Sequence, residues 1–126
     1  MSFFELKVTG SFAAAHKLQM VAKKCENLHG HNWKVEACVK GSGLSNAGVL
    51  IDFGILKKYL RAILEELDHK YLNELTPFLE NNSSSERICI YIAEELQKRI
   101  EEPGVKVSRI TVWESDDACA TYFTET

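Results

Sequence analysis

The sequence predicts an α+β domain in the order β-β-α-α-β-β, an antiparallel sheet with two helices on one face. Two observations carry this. Apolar residues alternate along residues 3–16 and 29–40, and two further short strands fit about 105–114 and 118–124. Between these pairs the period lengthens to that of helices, over residues 53–67 and from about Ser85 to Arg99. The chain has 126 residues, the size of one ordinary domain, and shows no internal repeat or low-complexity stretch.

In the first strand Phe4, Leu6, Val8, Phe12, Ala14 and His16 share one parity, with Gly10 expected to make a bulge or bend. Residues 17–28 are polar and irregular and read as a loop. In the second strand His29, His31, Trp33, Val35, Ala37 and Val39 fall on one face, and Asn32, Lys34, Glu36, Cys38 and Lys40 on the other. Gly41-Ser42-Gly43 ends it. Asp52 is a good N-cap for the helix whose stripe is Phe53, Leu56, Leu60, Ile63, Leu64 and Leu67. Leu75-Thr76-Pro77 and Asn81-Asn82-Ser83 mark a connecting loop. Ser83 and Glu86 have capping-box spacing at the head of the second helix, and Pro103-Gly104 stops it. Ser115-Asp116-Asp117 turns between the last two strands.

The chain is 45% hydrophobic and 26% charged, enough apolar residue for a core and enough charge for solubility. Its net charge of −3 argues against a nucleic-acid partner, because binding a polyanion needs basic surface. No run approaches the roughly 18 apolar residues of a membrane span, and the first residues lack a secretory apolar segment. The expectation is a cytoplasmic protein without membrane partners. Cys25, Cys38, Cys89 and Cys119 are widely spaced with no Cys-x-x-Cys pair, so free thiols are expected.

His29-Gly30-His31 is the strongest chemical signal. Residues two apart on a strand point the same way, so both imidazoles can reach one ion. His16 closes the preceding strand, and antiparallel pairing would bring it beside them. Zinc favours imidazole nitrogen, and three protein ligands leave a coordination position open for chemistry. Cys25, four residues before His29, is open to three readings: a fourth ligand, a buried apolar group or a reactive thiol favoured by Lys23 and Lys24. Asp68-His69 ends the first helix; the carboxylate can fix the imidazole's tautomer only if a turn brings the neighbours together. Glu114, near the end of a strand, is either solvent-facing or able to bind a heterocycle's amidine edge.

Taken together, these segments resemble the 6-pyruvoyl-tetrahydropterin synthase family, and within it the bacterial 6-carboxy-tetrahydropterin synthases of queuosine biosynthesis. The resemblance is carried by Ser11-Phe12-Ala13-Ala14-Ala15-His16-Lys17-Leu18 and Cys25-Glu26-Asn27-Leu28-His29-Gly30-His31. It continues through Ile51-Asp52-Phe53, Leu67-Asp68-His69 with Tyr71-Leu72-Asn73, Ser84-Ser85-Glu86 and Val112-Trp113-Glu114. It implies the tunnelling fold, in which trimers close a β-barrel and stack into a hexamer with active sites between subunits. It implies zinc on His16, His29 and His31, with Cys25 as the proton-abstracting base and Asp68-His69 as its acid/base partner. Glu114 would anchor the pterin ring, helped by Ser84, Ser85 and Glu86, with Lys17 standing where the family often has arginine. The implied substrate is 7,8-dihydroneopterin triphosphate, with magnesium a possible companion of the triphosphate, and the implied products are 6-carboxy-tetrahydropterin, acetaldehyde and triphosphate. Glu26 beside Cys25 matches a branch that makes 6-hydroxymethyl-dihydropterin for folate. A small non-enzymatic zinc module is the rival of another class.

Overall fold

Residues 2–17, 28–80 and 82–124 are described in the structure, a computed structural model. The alternating stretches form strands β1 (Phe4–His16) and β2 (His29–Gly41). They pair antiparallel along their whole length, from Phe4 opposite Gly41 to His16 opposite His29. Helix α1 (Phe53–Leu67) follows, then the two-residue strand β3 (Lys70–Tyr71) and two 3₁₀ turns. Helix α2 (Ser85–Arg99) leads to β4 (Lys106–Ser115) and β5 (Ala118–Phe123). The sheet order is β3-β1-β2-β4-β5. β3, absent from the sequence reading because two residues carry no periodicity, runs parallel to β1 at Ala14 and Ala15 and makes the sheet mixed.

Both helices cover one face. Leu56, Leu60, Ile63, Leu64 and Leu67 of α1 pack with Ile88, Ile92 and Leu96 of α2 on Val8, Phe12, Trp33, Val35, Ile110 and Val112 of the sheet. Each such side chain contributes roughly 1.5–3 kcal/mol over leaving it in water. Phe12 and Trp33, opposite each other in the β1–β2 register, stack at 5.7 Å.

Asp52 caps α1 as expected, accepting from the Ile55 N–H at 3.1 Å. Two local expectations are corrected. The cap of α2 is Ser84, whose Oγ accepts from the Arg87 N–H at 3.2 Å, so the Ser83–Glu86 capping box does not form. Gly10 makes no bulge, for it pairs in register with Val35. A Cβ there would lie 2.7 Å from Leu64 Cδ1, so the glycine serves the close approach of α1.

The irregularities lie in β4. Cys38 pairs with Arg109 but Val39 with Val107, leaving Ser108 unmatched. Trp113 pairs with Cys119 but Ser115 with Ala118, leaving Glu114 unmatched. Among the described residues no helix is long and apolar enough to cross a membrane.

Candidate metal centre

Strand pairing assembles the site. The β1–β2 register sets His16 directly opposite His29, and His31 follows two residues on along the same face. Trp33 continues that face beneath them, its ring centroid 5.0 Å from that of His16 and 5.2 Å from that of His31. Its indole N–H donates to the Ala14 carbonyl at 3.2 Å. The histidines thus stand on an apolar, immobilised floor. His16 is fully buried, while His29 and His31 are partly exposed.

Glu114 joins them from β4. Its Oε1 lies 3.0 Å from Nε2 of His16, 3.2 Å from Nε2 of His31 and 4.0 Å from Nε2 of His29. The two nitrogens of His16 and His29 are 3.0 Å apart. All four ligand atoms fall within 4.8 Å of one another. In a tetrahedral zinc site with bonds of about 2.0–2.1 Å, neighbouring ligand atoms lie about 3.3 Å apart, a spacing that these distances bracket. The donor set suits an ion of that class. Ser83 supplies the outer contact: its carbonyl lies 2.8 Å from Nδ1 of His16, which leaves Nε2 to the cluster.

The carboxylate of Glu114, the residue the resemblance assigns to the pterin ring, sits among the imidazoles. The signal was present in its parity with Ile110 and Val112, which places it on the buried face. Ser83 and Asn73 hold the His16 side of the site and carry no sequence signal of it, because loop-to-strand contacts have no period. Lys17 continues from His16, and its backbone N–H donates to Asn73 at 2.9 Å. Ser84, Ser85 and Glu86 open α2, adjoining the site through Ser83.

The turn needed at Asp68-His69 exists. Asp68 ends α1 in an extended conformation and His69 adopts φ 58°, in the left-handed region. Its N–H donates to the Ala13 carbonyl at 2.6 Å, which secures that unfavourable backbone. The Ala13 N–H donates to Asp68 Oδ1 at 2.8 Å, and Asp68 Oδ2 lies 2.8 Å from Nδ1 of His69. The Ala13 amide first, and His69 after it, hold the Asp68 carboxyl below its ordinary value. The His69 side chain is 83% exposed, so Nε2 faces solvent at the sheet edge. Cys25 and Glu26, with Lys23 and Lys24, lie outside the described residues. Of the other thiols, Cys38 and Cys89 are buried and Cys119 is exposed.

The chain is similar to known proteins over most of its length. The family described as 6-pyruvoyl tetrahydropterin synthase matches residues 5–125. A dihydroneopterin monophosphate aldolase of Pyrococcus furiosus is 35% identical over 85% of this chain and 86% of its own. A candidate 6-carboxy-5,6,7,8-tetrahydropterin synthase of Archaeoglobus fulgidus is 37% identical over 90% of each. The human 6-pyruvoyl tetrahydrobiopterin synthase is 33% identical over 89% of this chain and 86% of its own. The solved structure of the Caenorhabditis elegans 6-pyruvoyl tetrahydropterin synthase superposes with a TM-score of 0.84, at 26% identity over 99% of this chain and 98% of that one.

Proposed function

Because the chain belongs to the 6-pyruvoyl tetrahydropterin synthase family of pterin-synthase-type lyases, we propose that it converts 7,8-dihydroneopterin triphosphate and one water to 6-carboxy-5,6,7,8-tetrahydropterin, releasing acetaldehyde and triphosphate, as a step towards queuosine. The observation that carries the reading is the convergence of His16, His29, His31 and Glu114 in a chain of this family.

The three histidines would hold zinc, which supplies Lewis-acid polarisation of a substrate oxygen when bound. Glu114, whose carboxylate lies among the imidazoles in the free protein, would turn to accept paired N–H bonds from an entering pterin ring. Cys25 takes the carbon-bound proton as a thiolate. His69 moves a proton at Nε2, with Nδ1 held by Asp68. Ser84, Ser85, Glu86 and Lys17 border the substrate side, and magnesium accompanies the triphosphate.

The assembly belongs to the proposal too: a hexamer of two trimers, in which Asp68 and His69 serve a neighbour's zinc. Two features support it. Among the described residues, β5 ends the sheet and β1 has the short β3 as its outer neighbour only at Ala14 and Ala15. Long open edges of this kind invite pairing with another strand.

A second reading has its own support. The relatives bear the names of three different products or cleavages, so membership of the family leaves the product open. Glu26 beside Cys25, together with the likeness to the P. furiosus aldolase, favours cleavage to 6-hydroxymethyl-dihydropterin. The test is to incubate zinc-loaded protein with dihydroneopterin triphosphate and identify products by mass. A 6-carboxy product is expected. A 6-hydroxymethyl product that disappears in Glu26→Ala would establish the second reading instead; no turnover of the triphosphate would sink the first, and none of dihydroneopterin monophosphate as well would sink both.

A further inference from the structure

Asn73 has no part in the chemistry above, yet three hydrogen bonds converge on its side-chain amide. Its Oδ1 accepts from the Lys17 N–H at 2.9 Å, and its Nδ2 donates to the Lys17 carbonyl at 2.6 Å. The side chain therefore grips both backbone groups of the residue that follows the proposed ligand His16. The same Oδ1 accepts from the Ser83 hydroxyl at 2.9 Å. Ser83 is fully buried, and its carbonyl lies 2.8 Å from Nδ1 of His16.

The chemistry of that last contact is one-sided. A carbonyl oxygen only accepts, so Nδ1 carries a proton, and a metal at this site would be met by Nε2, the atom that faces His29 and Glu114. His16 is thus held from two directions. Its backbone continues into the Lys17 grip, and its ring is pinned by Ser83. Both restraints pass through one amide, although Asn73 is 56 residues from Lys17 and 10 from Ser83.

We infer that Asn73 and Ser83 form a clasp that fixes the ring orientation and tautomer of His16, and are positioning residues for the metal centre. The inference rests on the metal reading above. Outer partners of this kind typically carry about 10–100-fold in metal affinity. Asn73→Ala releases Lys17 and the Ser83 hydroxyl together, without altering a ligand. Ser83→Ala keeps the carbonyl and deletes only the link to Asn73. Asn73→Asp keeps the acceptor oxygen for both donors and loses the bond to the Lys17 carbonyl.

The experiment has two readouts on the full chain. Long-range ¹⁵N NMR of the imidazoles reports the His16 tautomer in metal-free protein, and competition with a chromophoric chelator reports zinc affinity. Wild type is expected to show His16 protonated at Nδ1. Asn73→Ala is expected to mix the tautomers and weaken zinc binding by about 10–100-fold, with Asn73→Asp recovering only part of either, because its second oxygen meets the Lys17 carbonyl as another acceptor. A folded Asn73→Ala protein with the wild-type tautomer, and affinity within about twofold, overturns the clasp. If Asn73→Ala does not fold, Ser83→Ala decides: a mixed tautomer supports the clasp and an unchanged one overturns it. If wild type takes up no zinc, the metal reading fails, and the metal-free tautomers still decide for or against the clasp.

Discussion

Nε2 of His16 and Oε1 of Glu114 stand 3.0 Å apart, joined across 98 positions of sequence. The same carboxylate oxygen lies 3.2 Å from Nε2 of His31. The zinc proposed above would be shared by these groups. Glu114→Gln keeps the size and removes the charge. We expect zinc affinity of the free protein to fall at least about tenfold, read by chelator competition, together with a raised KM for the pterin. A raised KM with unchanged zinc affinity would restrict Glu114 to the substrate.

The three histidines should separate by burial. His29→Ala and His31→Ala, at partly exposed positions, should abolish zinc uptake and turnover with little change in stability. His16→Ala should do the same and also destabilise the fold. It empties a fully buried position and strips the Ser83 carbonyl of its partner, at a cost of about 1–3 kcal/mol. Urea unfolding of the metal-free proteins measures the difference.

Asp68 sets a pH dependence. Its carboxyl is held below the ordinary value of 3.8, first by the Ala13 amide and then by His69. A depressed carboxylate contributes stability that is present above the ordinary value and is lost as pH falls through the lowered one. The stability gap between wild type and Asp68→Ala should therefore be full at pH 6 and close below the carboxylate range, read as Tm against pH. Asp68→Asn should lower kcat by about 100-fold, since the amide can no longer hold His69 as a charged partner.

The thiols give a chemical count. Burial pushes Cys89 up to about 11 and raises Cys38 as well, so both should resist a disulfide reagent at pH 8 until the protein unfolds. Cys119 is exposed and should react at once. A second fast thiol, lost in Cys25→Ser together with about 10²–10⁴-fold in kcat, is the outcome expected of a general base at Cys25.

Gly10 tests the packing. A Cβ there meets Leu64 Cδ1 at 2.7 Å and Leu60 Cδ2 at 3.5 Å. Gly10→Ala should cost about 1–3 kcal/mol through overpacking. Shortening the facing side chain with Leu64→Val should recover part of that loss, so the two changes should be non-additive in denaturant unfolding.

The sequence by itself determined the elements and much of the chemistry. Strand and helix periods are properties of neighbouring residues, so β1, β2, α1, α2, β4 and β5 were legible, as was the Asp52 cap. His29 and His31 were legible as a co-facial pair for the same reason. The tertiary structure alone decided what reaches them. The full-length β1–β2 register sets His16 opposite His29, and β4 carries Glu114 to the same centre from the far end of the chain. The left-handed turn at His69 joins it to Asp68, and Asn73 ties Lys17 to Ser83. The physical reason is range: periodicity and capping act within a turn or a strand, whereas these contacts exist only after loops of no fixed pattern have closed.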